Sequence, residues 1–270
     1  MEQLPGHELC GVAQPPSLGE HSDMSKVTVI TGASAGIGAA LAERLAAAGH
    51  SLVLVARREA ELHAVAQRCG PLALPVVADV TSRDDVRRVV RSALERFEHI
   101  DVWVNNAGRG ITRSPSELTD EDIDDMIRIN VKSVLYGTQE VLPHFKARGA
   151  GHVINVSSML GRIPFAVFRA AYSGAKHFVN ALTATFRDEL KSTYPGIQIS
   201  LVSPGVVQTE FGANALHGGP DSRSLPNSQT ADEVAAVIAE VIATRKADVY
   251  TRQGAREMVV KYFAAEEPGA

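Results

Sequence analysis

The stretch from Lys26 to Ala48 leaves this chain few architectures to choose from. Val27-Thr-Val-Ile is a short β-branched run that passes directly into Thr31-Gly-Ala-Ser-Ala-Gly36-Ile-Gly38 and then into the helix-prone Ala39–Ala48. Strand, glycine turn and helix in immediate succession make the first part of a βαβ unit, whose next strand returns parallel to the first. A turn with so few Cβ atoms lets a pyrophosphate approach the backbone and sit on the positive end of the helix. The spacing, Gly-x-x-x-Gly-x-Gly, differs from the more widespread Gly-x-Gly-x-x-Gly fingerprint, and a tight turn that merely packs a helix on a sheet is the plainer alternative.

The unit repeats along the chain. Strand-like runs are expected at Ser51–Ala56, Leu72–Asp79, Ile100–Val104, Val153–Val156, Ile197–Val202 and Asp248–Arg252, with Pro75 pointing to an irregular or edge position for the third strand. Helices are expected at Arg58–Cys69, after Thr81-Ser82, from Thr119 to His144 or beyond with a kink at Pro143, at Ala171–Lys191, and from Thr230 to Lys246. Thr119 with Asp122, and Thr230 with Glu233, have the spacing of capping boxes. This alternation predicts a single α/β domain of the Rossmann type, a doubly wound parallel sheet of about seven strands with helices on both faces. Residues 1–24, rich in Pro and Gly, form a flexible tail in this reading. Residues 25–253 form the domain, including an irregular loop at 209–229, and residues 254–270 a C-terminal segment that could serve as an interface element.

Composition narrows the function. Four acidic residues of the tail, Glu2, Glu8, Glu20 and Asp23, account for the net charge of −4, so the body is formally neutral and lacks the basic face of a nucleic-acid binder. No apolar run approaches the roughly 20 residues of a membrane span, and the N-terminus has no leader pattern, so a cytoplasmic protein is expected. Cys10 and Cys69 are too few for a disulfide framework and lack metal-ligand spacing; no metal site is expected.

In a sheet of this kind ligands bind beyond the carboxyl ends of the strands. The unusual residues fall there: Gly32, Gly36 and Gly38 after the first strand, Arg57 after the second, Asp79 after the third, Asn105 after the fourth, Ser158 after the fifth and Pro204-Gly205 after the sixth. An acid at the end of the second strand would accept from a ribose 2′-OH; the chain has Arg57-Arg58 instead, which suits a 2′-phosphate and favours NADP over NAD. Tyr172 and Lys176 are four apart on a helix and so project together. A nearby ammonium favours a phenolate, which would bring the tyrosine into range as an acid or base.

In order and separation, Thr31-Gly-x-x-x-Gly36-x-Gly38, Asp79-Val80, Asn105-Asn-Ala-Gly108, Asn130, Ser157-Ser158, Tyr172-x-x-x-Lys176 and Pro204-Gly205 with Thr209 resemble the classical short-chain dehydrogenase/reductase family. The resemblance covers Lys26 to Arg252. It implies that Tyr172 is the acid or base, that Lys176 lowers its pKa and holds the nicotinamide ribose, that Ser158 orients the substrate oxygen, and that Asn130 anchors a water in a proton relay. It further implies that Asp79 meets the adenine, Asn105 lies beside the adenosine ribose, and Thr209 reaches the nicotinamide or pyrophosphate. The full cofactor set is then Gly32, Ser34, Gly36, Ile37, Gly38, Arg57, Arg58, Asp79, Val80, Asn105, Ala107, Gly108, Tyr172, Lys176, Pro204, Gly205, Val207 and Thr209. One departure stands out. Ser158 lies 14 residues before Tyr172, one more than is usual in the family, and the usual spacing falls on Met159, which has no donor. An inserted residue in the loop Gly161–Ala171 is the simpler explanation, with Ser157 as a lesser candidate.

The expected activity is NADP-dependent hydride transfer to or from the carbonyl or secondary alcohol of a small molecule, with a non-catalytic NADP-binding sensor or interaction protein as the alternative. Phe165, Phe168, Phe211 and Leu216 point to an apolar substrate, Arg109 and Arg162 leave room for a polar or anionic group, and Thr209–Gln229 is expected to act as a lid. The resemblance implies a homodimer or homotetramer formed through the two long helices.

Overall fold

Residues 25–265 are described by a computed structural model; the expected N-terminal tail lies outside them. Seven strands form one sheet: β1 (Val27–Thr31), β2 (Ser51–Ala56), β3 (Ala73–Val77), β4 (Val102–Asn105), β5 (Gly151–Val156), β6 (Ile197–Ser203) and β7 (Asp248–Tyr250). Their order is β3-β2-β1-β4-β5-β6-β7 and every pairing is parallel, so the order reverses between β1 and β4. Pro75 sits in β3, which among the described residues pairs only with β2, and an edge is where a residue without an N–H disturbs fewest ladder bonds.

Alternate side chains of each strand go to opposite faces, and both faces are covered. On one, Ile30, Leu54, Val104, Ile154 and Val202 pack under helices α1 (Gly36–Ala47), α2 (Glu59–Cys69) and α7 (Ala231–Thr244). On the other, Val29, Val53, Trp103, Val153 and Ile199 pack under α3 (Arg83–Phe97), α5 (Ser133–Arg148) and α6 (Ala170–Lys191). Double coverage is why the strands are nearly continuous runs of Val, Ile and Leu. Both expected capping boxes form, Thr119 with Asp122 at the start of α4 (Asp120–Ile127) and Thr230 with Glu233 at the start of α7.

The long helix expected from Thr119 is not continuous. It comprises α4, a π-type turn at Arg128–Lys132, and α5, which runs through Pro143 to Arg148. Side chains divert the ladder here: Asn130 Nδ2 donates to the Met126 carbonyl and Ser133 Oγ to the Ile129 carbonyl, taking acceptors that the α-helical pattern would use. The C-terminal segment forms a further helix, α8 (Ala255–Ala264), with Met258, Val260 and Phe263 exposed.

His152 in β5 makes the fold sensitive to acid. Ser200 Oγ donates to the Lys246 carbonyl, so His152 Nε2 must be the donor in its 2.8 Å contact with that oxygen, which leaves Nδ1 bare and without a partner. Burial, with lesser help from Arg245 and Lys26, pushes the imidazole down to about 3. The unfolded chain binds this proton near pH 6.5 and the folded chain only near 3, so stability is complete above the first value and falls through that window. Urea unfolding at pH 7 and pH 5 is expected to show wild type losing about 2 kcal/mol through this group, at roughly 1.4 kcal/mol per pH unit. His152→Gln should lose correspondingly less.

Candidate active site

A cleft of about 830 Å³ opens at the carboxyl ends of the strands. Its floor at the switch point is the β1–α1 turn, where Gly32 and Gly36 adopt φ of +68° and +56°. A Cβ on Gly36 would stand 3.0 Å from Thr209 Cγ2. Helix α1 begins without a side-chain cap, at Ala35, and has no acidic residue in its first turn, unlike the capped, acid-rich starts of α4 and α7. Its first N–H groups thus face the cleft without an acidic side chain on their own helix, which fits an anionic ligand such as the pyrophosphate of a dinucleotide.

The walls carry most of the sequence-derived residues: Ser34, Ile37, Arg57, Arg58, Asp79 and Val80 toward one end, Ala107 against the Gly32 turn, and Gly108, Ser158, Tyr172, Lys176, Pro204, Gly205, Val207 and Thr209 toward the other, where a Cβ on Gly108 would stand 3.7 Å from Lys176 Nζ. At the first end Arg58 donates to Ser34 Oγ from Nε at 3.3 Å and from Nη2 at 3.2 Å, and approaches Glu61 and Glu210. Arg57 is 3.8 Å from Asp79, whose other oxygen accepts from the backbone and hydroxyl of Thr81.

Three of the expected catalytic and cofactor residues do not line this cleft. Gly38 packs α1 onto the turn behind it, since a Cβ there would fall 2.4 Å from the Gly32 carbonyl oxygen. The Asn105 side chain, expected beside a ribose, is turned into the protein instead. It accepts from Trp103 Nε1 at 2.7 Å and donates to Asn155 at 2.8 Å, tying β4 to β5. Asn105 is the last residue of β4 and follows the strand's alternation into the helix layer, whereas Asn106, one residue on, lines the cleft and donates to the Thr31 and Gly32 carbonyls. Asn130 is fully buried in the π-type turn and clamps the β4 loop, accepting from Arg109 N at 3.1 Å and donating to Arg109 O at 3.0 Å. Its side-chain amide is therefore committed to protein, which leaves that group ill placed to hold a water.

At the second end, Ser158 caps a 3₁₀ turn at Met159–Gly161 by accepting from Leu160 N. Ser157 is turned away, its hydroxyl donating to Asn180 on α6, while Asn180 donates to the Gly161 carbonyl. Of the two serines, Ser158 is the one that acts on the Tyr172 phenol, favouring its ionised form, while the Ser157 hydroxyl is taken by Asn180. Tyr172 and Lys176 are both buried on the first turns of α6. Their electrostatics differ from the sequence expectation. Burial dominates and pushes the Tyr172 phenol up to about 12, against opposing pulls from Ser158 and then Arg169. Burial likewise pushes Lys176 down to about 8, and its ammonium donates to the Val156 carbonyl at 2.9 Å, 5.7 Å from the centre of the tyrosine ring. Burial, rather than the neighbouring ammonium, sets the direction of the tyrosine's shift. The pair is poised with a protonated phenol, a proton donor at neutral pH.

The loop after β6 covers this end of the cleft. Phe211 stacks edge-on against Tyr172 with centroids 5.6 Å apart. Ile111 and Leu216 form a parallel bridge, and His217 and Arg113 both bind Asp122 at 2.7 Å, holding its carboxyl well below the usual carboxylate range. Arg162, expected near the substrate, is instead bonded to Ser203 and Asp248 and stacked on Tyr250. The strand-edge acid captures it, and Arg169, which the sequence reading did not single out, lines the cleft beside Tyr172.

Residues 26–218 match the family model described as short chain dehydrogenase. The chain belongs to the short-chain dehydrogenase family. An uncharacterized oxidoreductase of Staphylococcus epidermidis is 35% identical to this short-chain dehydrogenase over 209 residues, covering 77% of this chain and 89% of the relative. Among solved structures, a short-chain dehydrogenase/reductase of Burkholderia phymatum in complex with NAD superimposes with a TM-score of 0.81 at 26% identity, covering 88% of this chain and 93% of that one. A short-chain dehydrogenase of Sphingobium yanoikuyae in complex with NADPH does so with a TM-score of 0.76 at 30% identity, covering 87% and 92%. The family is thus one of oxidoreductases with both nicotinamide cofactors represented. Among the described residues no helix is long and apolar enough to cross a membrane.

Proposed function

We propose that this protein is an NADP-dependent reductase or dehydrogenase acting on a ketone, aldehyde or secondary alcohol, with Tyr172 moving the proton. The observation that carries the reading is the buried, protonated phenol beside Ser158 at one end of a cleft whose other end is an uncapped helix start flanked by Arg57 and Arg58. When bound, the nicotinamide supplies or accepts the hydride. Ser158 and Tyr172 hold the substrate oxygen by hydrogen bonds, and in the reductive direction the phenol donates its proton to that oxygen as negative charge develops there. Lys176, between the tyrosine and the strand end, is placed to hold a ribose hydroxyl and to favour the phenolate left behind. Asn130 acts as a positioning residue, fixing the loop that carries Gly108 and Arg109. The loop at 209–229 shields the reacting atoms from water, with Phe211 against Tyr172 as its innermost contact.

Arg57, Arg58 and Ser34 are assigned to the 2′-phosphate of NADP. Charge-assisted bonds to such a group contribute about 1.5–3 kcal/mol each, so replacing both arginines by Ala is expected to weaken NADPH binding roughly 100-fold or more. NADH binding should change by less than about threefold, because its ribose lacks the phosphate. Fluorescence titration of both cofactors checks this; a wild type that prefers NADH would overturn the assignment. The exposed Phe178 on α6 is consistent with pairing through that helix, which light scattering tests.

The redox reading itself is tested by purified protein with NADPH and a panel of ketones and aldehydes. Turnover that requires Tyr172 supports it; cofactor binding with no turnover across the panel contradicts it and favours a sensor.

A further inference from the structure

Arg169 is a buried cation whose partners account for little of its hydrogen-bonding capacity. It precedes α6 and is 8% exposed, yet it lines the cleft. Among the described residues its guanidinium makes one hydrogen bond, from Nη1 to the Ile111 carbonyl at 3.0 Å, rests 5.6 Å from the centre of the Phe168 ring, and has Tyr172 as the one ionisable group acting on it. Among the described residues no carboxylate meets it. Glu210 and Asp79, the acids lining the cleft, are engaged with Arg58 and Arg57.

A guanidinium has five N–H donors in a planar fork, and removing it from water without an acid costs stability unless something in the site meets it. The fold makes room for this one. A Cβ on Gly110 would fall 2.6 Å from Nη1, and a Cβ on Gly219 3.2 Å from Nη2, so the two loops that close over the substrate end approach the guanidinium through glycines. Phe211, which stacks on Tyr172, would be 3.0 Å from the same Gly110 Cβ, so the guanidinium and the reacting tyrosine share one compartment.

We propose that Arg169 is a specificity-determining residue that binds a carboxylate of the substrate, so that the enzyme acts on an oxo acid or hydroxy acid whose remaining chain lies against Phe165, Phe168 and Phe211. This rests on the oxidoreductase reading and deepens it. A carboxylate accepts two parallel N–H bonds from the fork, which both neutralises the buried charge and orients the carbonyl toward Tyr172 and Ser158. The apolar lining selects the rest of the molecule. The expectation of an apolar substrate with room for a polar or anionic group thus becomes one of an amphipathic acid, and the anionic recognition passes from Arg162 to Arg169.

The test compares 2-oxobutanoate, 3-oxobutanoate and 4-oxopentanoate with their methyl esters, which keep the carbonyl and remove the charge. With NADPH, wild type is expected to prefer the acid at least tenfold in kcat/KM in one or more pairs. Arg169→Met should lower that acid-to-ester ratio at least 30-fold, mainly through KM of the acid, and Arg169→Lys should lower it about tenfold, keeping charge without the fork. Equal loss for acid and ester in the variants would make Arg169 a strut between loops and overturn the proposal; so would esters preferred in every pair, which would leave the reductase reading standing. Calorimetric titration of the same acids in the presence of NADP separates the two claims. Acid binding that depends on Arg169 without turnover would sustain the carboxylate site and refute the reductase. Absence of both acid binding and acid turnover would refute the site. Arg169→Lys carries the comparison if Arg169→Met does not fold.

Discussion

Replacing Tyr172 with Phe is expected to lower kcat for carbonyl reduction by about 10³-fold, within the 10²–10⁴ range that a positioned proton donor contributes. The change removes one oxygen and little else. The ring keeps its edge-on contact with Phe211 and its place among Val134, Ala175 and Val179 in the core under α6. Folding should therefore survive, with NADPH affinity within about threefold of wild type, since the residues assigned to the adenosine and pyrophosphate are on other elements. What disappears is the proton held ready at neutral pH by burial, which pushes this phenol up to about 12. Stopped-flow measurement of NADPH oxidation, with thermal melting as the control, checks the prediction. A variant that melts normally, binds NADPH and turns over at the wild-type rate would remove Tyr172 from the chemistry.

The second large effect lies at Gly38, which does not line the cleft. A Cβ there would be 2.4 Å from the Gly32 oxygen and 2.7 Å from Asn106 Nδ2. The first of these is backbone, so the β1–α1 turn must move as a unit. Gly38→Ala is expected to destabilise the protein by about 3 kcal/mol, the upper end for overpacking, and to lower Tm by roughly 5–10 °C. NADPH affinity should fall at least 100-fold, because the displaced turn is the one whose N–H groups face the pyrophosphate. Gly174→Ala, on the exposed side of α6 with no atom within 4 Å of its added Cβ, is the matched control and should hold or raise stability. Calorimetric melting and NADPH titration of both variants measure the contrast.

These particular residues also show what the sequence could and could not disclose. The succession of strands and helices along the chain was accessible because both faces of the sheet are covered, so each strand is an apolar run, and because capping pairs such as Thr119 with Asp122 mark helix starts by local chemistry. The interruption of the helix at Arg128–Lys132 was not accessible. It depends on Asn130 and Ser133 taking main-chain carbonyls, a competition that hydrophobic periodicity does not register. Strand-end position located the cleft, but it could not distinguish Asn105 from Asn106. The alternation of the last residue of β4 decides that, and a boundary error of one residue reverses the answer. The same limit explains the arginines. Arg162 and Arg169 are both in the loop before α6, and only the location of Asp248 on the edge strand shows that Arg162 is neutralised there. Spacing paired Tyr172 with Lys176 correctly on one helix, yet the direction of the phenol's shift follows from burial, which spacing does not contain.

The central claim is that hydride passes between a nicotinamide and a carbonyl carbon in the compartment of Tyr172. Incubating the protein with NADPH deuterated at the transferable C4 position and a panel of ketones and aldehydes, followed by mass spectrometry of the alcohols, tests it directly. The account predicts at least one alcohol carrying a single deuterium on the former carbonyl carbon with wild type, and none above background with Tyr172→Phe. Bound cofactor with no labelled alcohol from the whole panel, or equal labelling by both proteins, would contradict it.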